Sequence, residues 1–230
     1  MLYRVILLAL LLLPCASRAG ELPRILASAD NPVPKCVVPA SLMKFVEARN
    51  AHFRPARKID PRFDHIASIY QQVGNCVSRA PNKCVAVRWD YAFFQMLLET
   101  NYLTFLRPNG THASVTPQDN NFAGVGAAVS GRPGEKFKDV QTGVLAHLQH
   151  VLMYSLTPIP NPVAQRTRQV QADVQRSLRR LHHPVTFDDL AQIWTGSNHS
   201  AYGAQIQQIA ERYAGEYCGS EQFAARASRR

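Results

Sequence analysis

Glu99 ends the run Phe94-Gln95-Met96-Leu97-Leu98-Glu99, and it is the only acid in that apolar stretch after Asp90. A carboxylate in such surroundings costs energy unless it is paired, or its pKa rises and it keeps its proton. A carboxylic acid still protonated at neutral pH is what general acid catalysis needs. Gln95 lies one helical turn earlier, so Gln95 and Glu99 can line one cleft. On spacing alone, a buried glutamate satisfied by a backbone group or an arginine is the competing reading. A second candidate is Asp119-Asn120-Asn121-Phe122-Ala123-Gly124-Val125-Gly126. Asn and Asp cap helices and turns, and an ordinary capped turn is the simpler reading. Their side chains also hydrogen-bond sugar hydroxyls and acetamido groups, and Phe122 can pack in a core or stack on a sugar face.

His147 and His150 stand at i and i+3, but no carboxylate is placed to complete a metal site with them. They are read as supporting or surface residues, and no metal or cofactor is expected. Cys36, Cys76, Cys84 and Cys218 contain no Cys-x-x-Cys pair and no matching His spacing, which argues against zinc. An even count in an exported chain reads as two disulfides. Three pairings are possible; in one, Cys76 and Cys84 close a small loop and Cys36 and Cys218 tie the ends together. Asn109-Gly110-Thr111 and Asn198-His199-Ser200 fit the N-glycosylation pattern.

These residues need elements to position them. The apolar spacing predicts helices from Arg62 to Gly74, from Trp89 to Leu106 and from Val140 to Tyr154. Residues 164–183 form a basic helix with a thin apolar stripe, and Phe187–Trp194 and Gly203–Tyr213 complete the set. Residues 107–134 are rich in Gly and Pro and read as a loop or small hairpin insertion. Residues 20–60 read as an irregular, basic and solvated extension with a short helix at 40–50, or as a wall-binding arm. The tail, 219–230, reads as mobile and basic.

Met1 to Ala19 has a basic residue, Arg4, then nine apolar residues from Val5 to Leu13, then Ser17-Arg18-Ala19. This is the pattern of a secretory signal peptide cleaved after Ala19. Nine residues at about 1.5 Å rise do not cross a roughly 30 Å hydrocarbon core, so stable membrane insertion is not expected. The 230 residues are 46% hydrophobic and 18% charged, which excludes a wholly disordered or collagen-like chain. The formal net charge of +10 falls to +8 when Arg4 and Arg18 leave with the signal. Such an excess points to a polyanionic partner without choosing one. Aromatic and basic residues are not interleaved as single-strand binders require, so nucleic acid is not expected.

Several segments fall in a recognisable order: Glu99-Thr100, then DNNFAGVGA at 119–127, then FKDVQTGVLAHLQHVLMY at 137–154, then Trp194-Thr195-Gly196 with Ala201-Tyr202-Gly203. Together, over roughly 63–214, they resemble the glucosaminidase domain of bacterial peptidoglycan hydrolases, glycoside hydrolase family 73. The resemblance implies a mainly α (α+β), lysozyme-like domain of two lobes over 61–218. It implies cleavage of a β-1,4 glycosidic bond of peptidoglycan with Glu99 as general acid, in the periplasm or outside the cell. Asn121, Phe122 and Gly124 match the family's cleft-lining motif, with Asn120 beside them. Tyr202 matches a tyrosine expected near the cleft, and Gln95 is expected to touch substrate.

A glycosidase of this kind normally needs a second group, and in an inverting enzyme it is a carboxylate about 6.5–9.5 Å from the acid. Some family members carry it after the Asn-Phe motif, where this chain has Glu135 as the only acid, flanked by Asp119 and Asp139. Glu135 is the catalytic candidate there; a plain surface residue is the other reading. Without a second acid, the substrate's own acetamido group or 6-hydroxyl serves, the latter giving a lytic transglycosylase. A muramidase, or a non-catalytic peptidoglycan-binding scaffold of an envelope or secretion complex, are the alternatives.

Overall fold

The computed structural model describes residues 22–80, 83–107, 109–111, 115–127, 133–195 and 199–219. The expected signal peptide, residues 220–230 of the expected tail, segment 128–132 and Gly196 to Asn198 lie outside the described residues. The protein is mainly helical. Its helices are α1 (Pro39–Ala51), α2 (Ile66–Gly74), α3 (Trp89–Glu99), α4 (Val140–Tyr154), α5 (Gln165–Leu178), α6 (Phe187–Thr195) and α7 (His199–Tyr217). Strands β1 (Ser78–Ala80) and β2 (Lys83–Val85) form one antiparallel hairpin between α2 and α3. No helix among the described residues is long and apolar enough to cross a membrane.

α3 is the central helix. Every residue from Trp89 to Leu97 is buried, the pattern of a helix enclosed on all sides. It packs against α2, α4 and α7. Its start is fixed by a buried ion pair: Arg88 donates from Nε to Asp90 Oδ1 at 2.8 Å and from Nη2 to Asp90 Oδ2 at 2.6 Å. The same guanidinium reaches Asn31 Oδ1 at 3.0 Å, tying the N-terminal segment to the core.

The expected helix over 89–106 stops at Glu99. Asn101, Tyr102 and Leu103 are left-handed, with φ of 47°, 58° and 65°. That conformation costs an L-residue about 1–2 kcal/mol and ends a right-handed helix. Specific bonds hold it: Tyr102 N donates to Leu97 O at 2.8 Å, and Leu103 N to Thr100 Oγ1 at 3.0 Å. Asn50 Nδ2 on α1 donates to Tyr102 O at 2.8 Å. The reversal leaves Glu99 at the C-terminal end of its helix.

The segment expected as a solvated extension is part of the core. Leu22, Ile25, Val37, Leu42, Phe45 and Val46 are buried in the same cluster as α3. α1 packs on α2 and α7 because Leu42, Phe45 and Val46 share one face. The hairpin lies at 78–85, and the described part of 107–134 holds only a 3-10 turn, Pro117–Asp119. The two disulfides are Cys36–Cys218 and Cys76–Cys84, with Cα separations of 5.1 and 4.8 Å.

α4 starts at Asp139, whose carboxylate accepts from Thr142 N at 2.7 Å. The Asn120 turn rests directly on this helix. A Cβ at Gly143 would lie 1.8 Å from Asn120 O, so only glycine permits the contact.

Candidate active site

Glu99 is partly exposed, at the junction of α3, α6, α7 and the 120–126 loop. Tyr202 of α7 donates its hydroxyl to Glu99 Oε1 at 2.5 Å. Trp194 of α6 supplies a second side-chain hydrogen bond to the carboxylate. The other oxygen, Oε2, faces Gly124, where an added Cβ would stand 3.9 Å from it. Burial pushes the Glu99 carboxyl up to about 7, against the opposing pull of Tyr202 and Trp194. Its place at a helix C-terminus, where negative charge is disfavoured, acts in the same direction as burial. Near neutral pH the group is therefore balanced between acid and base.

Beside it opens a cleft of about 450 Å³, lined by Gly124, His150, Tyr154, Arg166, Asp173 and Trp194, among others. Trp194 forms much of its aromatic wall, with ring centroids 5.1 Å from His150 and 6.0 Å from Tyr154. Burial lowers His150 to about 4, with the Arg166 charge adding to it, so the ring is neutral. Its Nδ1 is 2.8 Å from Thr167 Oγ1. A smaller hollow of about 210 Å³ shares Gly126 and Arg166 with this cleft and holds Glu135.

The residues singled out in the sequence separate into two groups. Glu99 and Tyr202 meet, as do Gln95 and Tyr202, whose atoms are 2.8 Å apart. Gln95, however, is fully buried and lines no cleft. Asn121 is also buried: its amide donates to Val125 O and Glu135 O, and its carbonyl accepts from Val125 N, each at 2.9 Å. It builds the loop that brings Gly124 to Glu99. Asn120 donates to Phe137 O at 2.9 Å and sits in the left-handed region at φ 48°. Phe122 is corrected from a sugar-stacking residue to a core residue. Its ring is fully buried, with centroids 5.4 Å from Phe63 and 6.3 Å from Phe105.

Glu135 caps α5. Its two oxygens accept from the backbone N–H of Gln165 at 2.8 Å and of Arg166 at 2.6 Å. Ala164, at the N-cap, has no side-chain oxygen to offer, and Glu135 satisfies those donors from another part of the chain. Asp119 serves a capping box with Thr116. Both carboxylates are thus engaged by hydrogen-bond donors at the starts of helical turns. Asp173 does line the cleft, in an exposed pairing 3.4 Å from Arg176. Nothing in its sequence neighbourhood marked it. Trp194 was legible only as part of a motif. Among the described residues no three His, Cys, Asp or Glu are grouped to hold a metal ion.

No family model matches the chain, and no solved structure matches it. The chain is 38% identical over 69 residues to an uncharacterized protein of Borreliella burgdorferi, a stretch covering 30% of this chain and 31% of that protein. The match thus spans under a third of that relative's length and shows similarity of a segment only.

Proposed function

We propose that the protein is an exported peptidoglycan hydrolase that cleaves a β-1,4 glycosidic bond, with Glu99 as general acid. One observation carries the reading: a carboxyl raised to about 7 is hydrogen-bonded to Trp194 and faces Gly124, two residues that line an open cleft. A donor with a pKa near the working pH is best placed to protonate a leaving glycosidic oxygen. Aromatic walls suit the apolar faces of sugar rings. The helical architecture is compatible with a lysozyme-like domain, and the resemblance over 63–214 supports N-acetylglucosaminidase specificity. Two disulfides and the absence of a membrane-crossing helix among the described residues are compatible with a periplasmic or secreted location.

Protonation of the leaving oxygen by Glu99 generates oxocarbenium character at the sugar. With Glu135 occupied by α5, the complementary role falls to Asp173 or to the substrate's acetamido group or 6-hydroxyl. Purified peptidoglycan digested with the protein and with Glu99→Gln, followed by mass spectrometry of the fragments, tests this. A reducing GlcNAc end lost in the variant supports the proposal. A 1,6-anhydro end identifies transglycosylation, and a reducing MurNAc end a muramidase. Wall binding without fragments overturns the enzyme reading.

A further inference from the structure

Behind Glu99 runs a buried line of side chains that touches no cleft. Tyr70 of α2 has its hydroxyl 2.7 Å from His147 Nδ1. His147 Nε2, on α4, is 3.2 Å from Gln95 Oε1. Gln95 Nε2, on α3, is 2.8 Å from the Tyr202 oxygen on α7, and Tyr202 is bonded to Glu99. Tyr70, His147 and Gln95 are each fully buried. Four helices thus contribute one residue or more to a single file of four hydrogen bonds.

The direction of every bond in this file follows from its end. An ionised Glu99 only accepts, so Tyr202 donates to it. Tyr202 then accepts from the Gln95 amide N–H, and Gln95 turns its carbonyl to His147. His147 must therefore carry its proton on Nε2, which leaves Nδ1 bare to accept from the Tyr70 hydroxyl. Burial and the neighbouring His150 lower His147 to about 3, so the ring is neutral and has one proton to place.

We propose that Tyr70, His147 and Gln95 act as positioning residues that fix Tyr202 as a donor to Glu99 Oε1, so that Glu99 takes up its proton on Oε2. A proton on Oε1 would face a Tyr202 oxygen already engaged by Gln95 and would leave the Tyr202 O–H without its acceptor, which is costly inside a protein. A proton on Oε2 lies on the side of Gly124. The file makes the acid single-sided. The inference rests on the reading of Glu99 as proton donor, yet it concerns a bond pattern that exists whether or not glycan is cut. Tyr202 on α7 faces the carboxyl directly, while His147, His150 and Tyr154 on α4 pack around Trp194, and Arg166 on α5 acts on His150 and Tyr154.

The test begins with the unaltered protein. Nitrogen-15 NMR of histidine-labelled protein between pH 5 and 8 is expected to show His147 as a neutral ring protonated on Nε2. A ring protonated on Nδ1 overturns the proposal. Carbon-13 NMR of the Glu99 carboxyl then gives its midpoint in variants. Tyr202→Phe and His147→Phe each raise it by roughly half to one pH unit, the worth of one donated hydrogen bond. Tyr70→Phe raises it by less. Combining Tyr202→Phe with His147→Phe adds little to the first alone, because both act through one bond. His147→Gln, which keeps one donor and one acceptor, recovers the midpoint. An unmoved midpoint in folded Tyr70→Phe and His147→Phe overturns the proposal. If His147→Phe does not fold, Tyr70→Phe and the tautomer of the unaltered protein decide alone. Absence of glycan cleavage with the shifts intact removes the enzyme reading and leaves the file standing.

Discussion

Tyr202 and Glu99 are 103 residues apart in the chain and 2.5 Å apart in the fold. The hydroxyl comes from the first turn of α7 and the carboxyl from the last residue of α3. Their contact depends on the left-handed reversal after Glu99, which ends α3 at the carboxyl instead of carrying the helix past it.

Glu99→Gln is expected to lower glycan cleavage at least about 100-fold, the lower bound for loss of a general acid. The amide is nearly the same size and carries no charge, so the fold should survive. Cleavage assays beside circular dichroism check both halves of this statement.

The same substitution should change how stability depends on pH. Glu99 has its pKa raised from 4.5 to about 7 in the fold. A raised pKa contributes stability that is fully present below 4.5 and lost as pH climbs through 7. The shift corresponds to about 3 kcal/mol. Urea unfolding from pH 5 to 8 should show the stability of the unaltered protein falling relative to that of Glu99→Gln as pH rises.

The histidines work in the opposite sense. His147 and His150 are lowered from 6.5 to about 3 and about 4. Their contribution is complete above 6.5 and lost as pH falls toward those values. Stability should therefore fall on the acid side as well, with a maximum near pH 6 to 7. His150→Gln should flatten the acid limb in the same unfolding series.

Glu135→Ala should destabilise the protein by about 1 kcal/mol through loss of the α5 cap. Because both oxygens are taken by backbone N–H groups, cleavage should fall less than tenfold. A loss matching that of Glu99→Gln would instead make Glu135 the second catalytic carboxylate. Asp173→Asn, assayed alongside, separates a water-activating carboxylate in the cleft from substrate-assisted chemistry.

The two disulfides should differ in weight. Cys36–Cys218 closes a loop of 182 residues and Cys76–Cys84 one of 8. The chain-entropy relation gives about 5 kcal/mol for the first and about 2.5 kcal/mol for the second. Thermal unfolding of the paired Cys→Ser variants should rank them in that order.

Much of the helical architecture was legible in the sequence because apolar periodicity marks buried faces. α2 and α4 end where Gly74 and the Pro158-Pro160-Pro162 run suggest. The end of α3 was not legible, since no Gly or Pro marks it; the reversal is imposed by Thr100, Asn101 and the distant Asn50. Glu99 stood out as a lone acid in an apolar run. The role of Gln95 did not, because its partners His147 and Tyr202 belong to other helices. Phe122 and Asn121 show the same limit from the other side. Local chemistry suits them to sugar, and only the packing of Phe63, Phe105 and the 135 strand of chain takes them out of its reach. The N-terminal segment read as solvated because five prolines and seven lysines and arginines between 20 and 60 outweigh a short apolar face.

The groups that hold Glu99, Trp194 of α6 and Tyr202 of α7, follow it by about a hundred residues. Because ribosomes build proteins from the N-terminus, the acid is made first and its partners last. A chain that stops before residue 202 owns the carboxyl but neither the phenol that orients it nor the final helix that packs α3. The hydrogen bonds around Glu99 thus close only once α7 has been synthesised, however early the carboxyl itself is made.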